Sequence, residues 1–163
     1  MPSIDLNSIL QDSQLQALFR VLIAGVVCAI VGLEREIAGK PAGVRTYALI
    51  GMGAAIFTTG AIQGFGGGDG GARVAAQIVT GIGFMGAGTI LHMRNRIVGL
   101  TTAAGMWVVA AVGMVIGSGL IVFGVGSAVL LFGLLRFLRT GWLERHGLIE
   151  HEDALDARRE SSD

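Results

Sequence analysis

Five apolar runs of near-membrane length, separated by short polar links, dominate this chain: residues 15–33, 46–63, 73–91, 99–116 and 120–138. As helix, each run reaches roughly 27–29 Å, close to the ~30 Å thickness of a bilayer's hydrocarbon core. A backbone in lipid must satisfy its own N–H and C=O groups, which leaves helices or closed barrels. The runs are continuous rather than alternating, and each is nearly twice the length of a barrel strand. They predict an all-α fold, a polytopic transmembrane helix bundle of about five spans. The composition agrees: 52% of residues are hydrophobic and only 15% charged, and the mean hydropathy of +0.68 is too apolar for an ordinary soluble domain.

The links alternate in charge. Arg35, Lys40 and Arg45 follow the first run, Arg94 and Arg96 the third, and Arg136, Arg139 and Arg145 the fifth, whereas the opposite links hold only Arg20 and Arg73. By the positive-inside rule the N-terminus is expected outside and the C-terminus in the cytoplasm. The chain then divides into an external segment (1–14), a membrane domain (15–138) and a short charged tail (139–163). Asp5 and Asp12 precede the first basic residue, so no cleaved signal is expected. With a formal net charge of zero, no whole-molecule field favours nucleic acid.

Lipid tails are as apolar as leucine, so membrane helices associate through small residues that let backbones approach. The third run, "AAQIVTGIGFMGAGTIL", carries Gly81, Gly83, Gly86 and Gly88 on two faces. It is expected at the centre of the bundle, against Gly51, Ala54 and Ala55 on one side and Ala103, Ala110 and Ala111 on the other. Its "GIGFMG" also fits GxGxxG, but no strand precedes it and no acid follows at about 20 residues, so helix packing is the reading. The link "GFGGGDGGAR" is expected to be a flexible loop, and Thr101 or Thr102 to cap the fourth helix.

The segment "GLEREIAGKPAGVRTYALIG" places Glu34, Arg35, Glu36, Lys40 and Arg45 between two apolar runs. Topology and headgroup contact account for the basic residues but not for the acids. A carboxylate at the hydrocarbon edge needs a cation or hydrogen-bond donors. Glu34 is expected to turn inward and meet Arg45 or an arginine of the next basic link, and Glu36 to pair with Lys40 four residues on. Pro41 and Gly43 reverse the chain. Three roles stay open for the hinge: a structural ion-pair cluster, a regulatory or partner-binding surface, and a cation site in which Glu34 and Glu36 hold Mg²⁺ among waters.

Deeper in the membrane, Gln77 and Thr80 either line a polar path with Thr58, Thr59 and Gln63 or hydrogen-bond between helices. Cys28 reads as a small buried hydrophobe, Trp142 as an interfacial anchor, and His146 and His151 with Glu150, Glu152 and Asp153 as a solvated tail or a metal site. No cofactor signature and no nucleophile–base set is present, so no enzyme is expected.

"GLERE" (32–36), "KPAGVRT" (40–46), "RVAAQIVTGIGFMGAGTI" (73–90) and "GLTTAAGMWV" (99–108), in this order, resemble the membrane domain of the MgtC/SapB family over about residues 15–138. The resemblance implies a bacterial inner-membrane protein connected with growth at low magnesium, with virulence in pathogenic members, and with regulation of another membrane complex such as the ATP synthase. It favours a regulator without cofactor over a transporter; the alternative is a cation transporter or channel with a polar path near Glu34 and Gln77. The bilayer and a second copy of the chain are the other expected partners. Two departures stand out. The family's larger members carry a folded soluble domain after the last span, whereas the tail here is too short for its own core, and Val98 stands where a basic residue is common.

Overall fold

The structure, a computed structural model, describes residues 13–64, 68–93 and 96–139. Five helices account for nearly all of them: α1 (Ser13–Ile37), α2 (Val44–Gly64), α3 (Gly68–Thr89), α4 (Leu100–Gly117) and α5 (Ile121–Arg139). Each apolar run became one helix, with ends shifted by a few residues. Trp142, Arg94, Arg145 and the histidines and acids of the tail lie outside the described residues.

One element was not expected. Between α3 and α4 the chain forms an antiparallel ribbon, β1 (Leu91–Met93) with β2 (Arg96–Val98), in which Leu91 pairs with Val98 and His92 with Ile97. Residues 96–98 read "RIV", whose β-branched pair suits a strand. Gly99 follows with φ 95° as the N-cap residue of α4, and no side chain caps that end. Neither Thr101 nor Thr102 is therefore the cap. A Cβ at Gly99 would fall onto the Thr89 carbonyl, which is why the ribbon can return against the end of α3.

The helices alternate in direction. Gly25 lies against Met52, and Gly32 against Gly43 and Val44, so α1 and α2 are antiparallel; Tyr47 lies at Gly105 and Ala55 at Gly117, so α2 and α4 run the same way. Gly86 against Ala103 and Gly124 against Ile116 make α3 and α5 antiparallel to α4. The hinge between α1 and α2, the ribbon and the C-terminal end of α5 thus share one end of the bundle. At the other end the Arg20 guanidinium lies beside Gly119, in the α4–α5 turn.

The centre is α4, not α3. It packs against all four other helices, and its buried face includes Gly105, Val109, Val112, Gly113 and Ile116. The third run was expected there because of its glycines, but among the described residues of α3 only Ile82 and Gly86 are buried. A Cβ at Gly81, Gly83 or Gly88 would meet nothing within 4 Å, and at Gly86 only Ala103. The close backbone approach belongs instead to α2 and α4: a Cβ at Gly117 would come within 2.9 Å of the Ala55 Cα, and one at Gly113 would strike the Gly51 carbonyl. These are small residues four apart on facing helices, the spacing that lets two helices meet at backbone distance. Thr59 adds a hydrogen bond there, its hydroxyl donating to the Gly117 carbonyl at 3.0 Å.

The outward faces are apolar. Leu18, Leu22, Val26, Ile30 and Leu33 form an exposed stripe along α1, Phe84 of α3 is 84% exposed and Val122 of α5 88%. Water does not tolerate such a continuous surface; a hydrocarbon phase does. By length and composition three of the described helices, α1, α4 and α5, are apolar enough to cross a membrane.

Candidate functional site

Gly39 ends α1. It takes φ 66°, the Lys40 N–H donates to the Arg35 carbonyl and the Gly39 N–H to the Glu36 carbonyl, each at 3.0 Å. This is the Schellman arrangement, which occupies the last carbonyls of a helix and turns the chain. Five residues after Gly39 α2 begins, and the Glu36 carboxylate accepts a hydrogen bond from the Val44 N–H at 2.9 Å. An acid at the end of one helix thus caps the start of the next, where the positive end of the helix dipole favours a negative charge. The expected Glu36–Lys40 pair is absent among the described residues, because the carboxylate is committed to the Val44 N–H.

Glu34 does turn inward and pairs with Arg35, not with Arg45; the side chains of Arg94 and Arg96 in the next basic link, the alternative partners, lie outside the described ones. Both residues of the pair are 3% exposed, and the Arg35 guanidinium binds the Glu34 carboxylate through Nε and a terminal nitrogen. Neighbouring helix residues point about 100° apart, so this contact requires the arginine to fold back on itself. Arg45 is exposed at the first turn of α2 and makes no ion pair with Glu34. The pair closes the hinge end of the bundle beside Tyr47, which is fully buried and feels the charges of both Arg35 and Glu34. The Tyr47 hydroxyl points to the Thr102 carbonyl at 3.5 Å and lies directly on Gly105, where a Cβ would collide with it. Gly32, the first residue of "GLERE", is required for the same reason: a Cβ there would come within 2.8 Å of the Gly43 carbonyl and of the Tyr47 Cβ.

The two carboxylates suggested for a cation do not converge. Glu34 faces into the bundle and Glu36 faces the hinge, each already engaged. Among the described residues no group of three or more His, Cys, Asp or Glu side chains is placed to hold a metal. Nor do the deeper polar side chains form one path. Thr59 bonds α4, the Thr80 hydroxyl donates to the Ala76 carbonyl of its own helix, and Gln77 and Gln63 are exposed. Asp69, expected in a flexible glycine loop, lies in the first turn of α3.

Arg45, Arg73 and Gln77 belong to a different feature. They line an open groove of about 820 Å³ between α2 and α3, floored by Ala54 and Ala110. Glu34 and Arg35 have no part in it. Tyr47, Gly32, Gly105 and Thr102 were missed as site residues by the sequence reading. The tyrosine, alone of its kind in the chain and directly after "VRT", was the available signal.

Apolar-faced helices alternating in direction, with charges gathered at their ends and one ion pair buried at the hinge, define a helical membrane protein. Residues 21–143 match the MgtC family, and the chain belongs to that family. It is 48% identical over 120 residues to Escherichia coli K12 YhiD, whose name proposes a magnesium transporter, covering 69% of this chain and 56% of YhiD. It is 40% identical over 144 residues to protein SrpB of Synechococcus elongatus, 78% of this chain and 79% of SrpB. To protein MgtC of Salmonella typhimurium LT2 it is 40% identical over 102 residues, 63% of this chain and 43% of that protein. The chain thus spans about half the length of YhiD and MgtC. No solved structure matches it.

Proposed function

We propose that this chain is a non-enzymatic, multi-pass inner-membrane protein that serves magnesium homeostasis or adaptation to low magnesium by regulating another membrane complex, such as the ATP synthase. In this reading all five helices cross the bilayer, the hinge, the ribbon and the C-terminal end of α5 face the cytoplasm, and the N-terminus faces outward. The alternation of helix direction and the excess of basic residues at the hinge end support that orientation. The observation that carries a regulatory reading over a transporting one is the engagement of both hinge acids within the chain: Glu34 on Arg35 and Glu36 on the Val44 N–H. Acids so committed build a rigid cytoplasmic face rather than an open cation ladder. The test is deletion in the native host followed by growth in limiting magnesium, with affinity capture from native membranes. A growth defect with a reproducibly captured membrane complex supports the reading; normal growth with no captured complex refutes it.

Transport is the second reading, favoured by the name of YhiD. Purified protein in liposomes would then pass a cation, and Gln77→Ala would alter the flux. No flux of magnesium, potassium or protons would exclude it.

A further inference from the structure

The groove between α2 and α3 has an arginine toward each end and apolar walls between them. Leu49 and Phe57 of α2 stand on its side at 69% and 62% exposed. Gly53 and Gly81 leave open space where a Cβ would sit. The two helices are antiparallel through α4, so Arg45 in the first turn of α2 and Arg73 near the start of α3 lie toward opposite ends. Neither arginine has an ion pair or side-chain hydrogen bond among the described residues, and no acid lines the groove.

Its length and lining suit a lipid. From Arg45 to Phe57 the groove wall follows twelve helical steps, about 18 Å. Apart from Arg45, Thr46, Arg73 and Gln77, its lining is apolar or glycine. An acyl chain can lie along such a wall, since ~18 Å exceeds the ~15 Å depth of one leaflet's hydrocarbon.

The charge decides which end holds the headgroup. Arg73 has Asp69 one turn before it on the same helix face, which opposes an anion. Arg45 has Thr46 beside it in the groove lining and the exposed Lys40 at the same end. The acids described at that end are engaged elsewhere, Glu36 on the Val44 N–H and Glu34 on Arg35. Basic pockets between membrane helices on the cytoplasmic side suit anionic lipid headgroups. We propose that this groove is a binding site for an anionic phospholipid, its phosphate on Arg45 and an acyl chain lying between α2 and α3. The site depends on residence in a membrane and not on any role in magnesium adaptation.

The experiment is native mass spectrometry of the full chain in detergent, with equimolar phosphatidylglycerol and phosphatidylcholine added. The expected result is at least fivefold preferential retention of phosphatidylglycerol, falling to near parity in Arg45→Gln and unchanged in Arg73→Gln. Gly81→Phe, which fills the groove while leaving both arginines in place, reduces retention of both lipids. Equal retention of the two lipids by the parent protein overturns the proposal. So does a preference that survives Arg45→Gln, or efficient disulfide crosslinking of Phe57→Cys between two copies, which would place a protein surface in the groove. A strain that grows normally at low magnesium leaves these readouts intact, so the lipid site and the magnesium reading fail separately.

Discussion

The carboxylate of Glu36, in the last turn of α1, accepts the Val44 N–H at the first residue of α2. One acid thereby ties two helices across a hinge that Gly39 and Pro41 have already bent. An N-terminal cap of this kind is worth about 1 kcal/mol. Glu36→Ala should lower stability by about that amount in an SDS titration in mixed micelles, and Glu36→Gln, which keeps an acceptor oxygen, by less. Gly43→Ala tests the same contact from the other side, because its Cβ would run into the Glu36 carboxylate. A loss from Gly43→Ala that persists undiminished in the Glu36→Ala background would contradict this account.

The Glu34–Arg35 pair is almost wholly removed from the surface, so the cost of breaking it lies mainly in the charge left behind. Removing one member of a buried pair costs about 3–5 kcal/mol, whereas replacing both with apolar side chains of similar size is often neutral. Arg35→Met alone should therefore destabilise the protein severely, and Glu34→Met combined with Arg35→Met should recover most of the loss. Thermal unfolding of the three variants in one detergent measures the difference. If the double variant is as unstable as the single one, the pair does more than neutralise itself.

The helices were legible in the sequence because continuous apolar runs of membrane length admit few other structures. Their neighbours were less so. Glycine density in the third run marks a helix that can be approached closely, but it does not say by what. Gly113 and Gly117 of α4 and Gly51 and Ala55 of α2 have the same character with fewer glycines, and they make the contact. The hinge was legible as a cluster, but neither Glu36 with Lys40 nor Glu34 with Arg45 is among its pairs. Spacing rules for helix surfaces favour partners three or four residues apart, and a long arginine can defeat them by folding back on its neighbour. The ribbon at residues 91–98 was hidden because each strand is only three residues long, too short for a period to appear.

Substitution of the glycines separates the two packing schemes. Gly113→Leu or Gly117→Leu drives a side chain into the backbone of α2 and should cost at least the ~1–3 kcal/mol of an overpacked core. Gly83→Leu or Gly88→Leu faces open space within the chain and should leave the unfolding midpoint of the monomer unchanged. Should the α3 variants unfold as readily as the α4 variants, the centre of the bundle would have to be α3 after all. A change confined to the oligomeric state of the α3 variants, read by size and crosslinking, would instead assign those glycines to contacts between copies.

Tyr47 and Gly105 test how the buried end of α2 is fitted to α4. The phenol oxygen occupies the space a Cβ on residue 105 would need, while its hydrogen bond to the Thr102 carbonyl is long, at 3.5 Å. A long neutral hydrogen bond contributes little, so Tyr47→Phe should cost no more than about 0.5–1.5 kcal/mol. Gly105→Ala forces the ring to shift and should cost about 1–3 kcal/mol. The two changes share one volume, and removing the hydroxyl relieves much of the collision. The double variant should accordingly be more stable than the sum of the single losses, by about 0.5 kcal/mol or more in a double-mutant cycle. Strict additivity would mean that the phenol does not rest on Gly105 in the folded protein, and the description of the hinge end would fall with it.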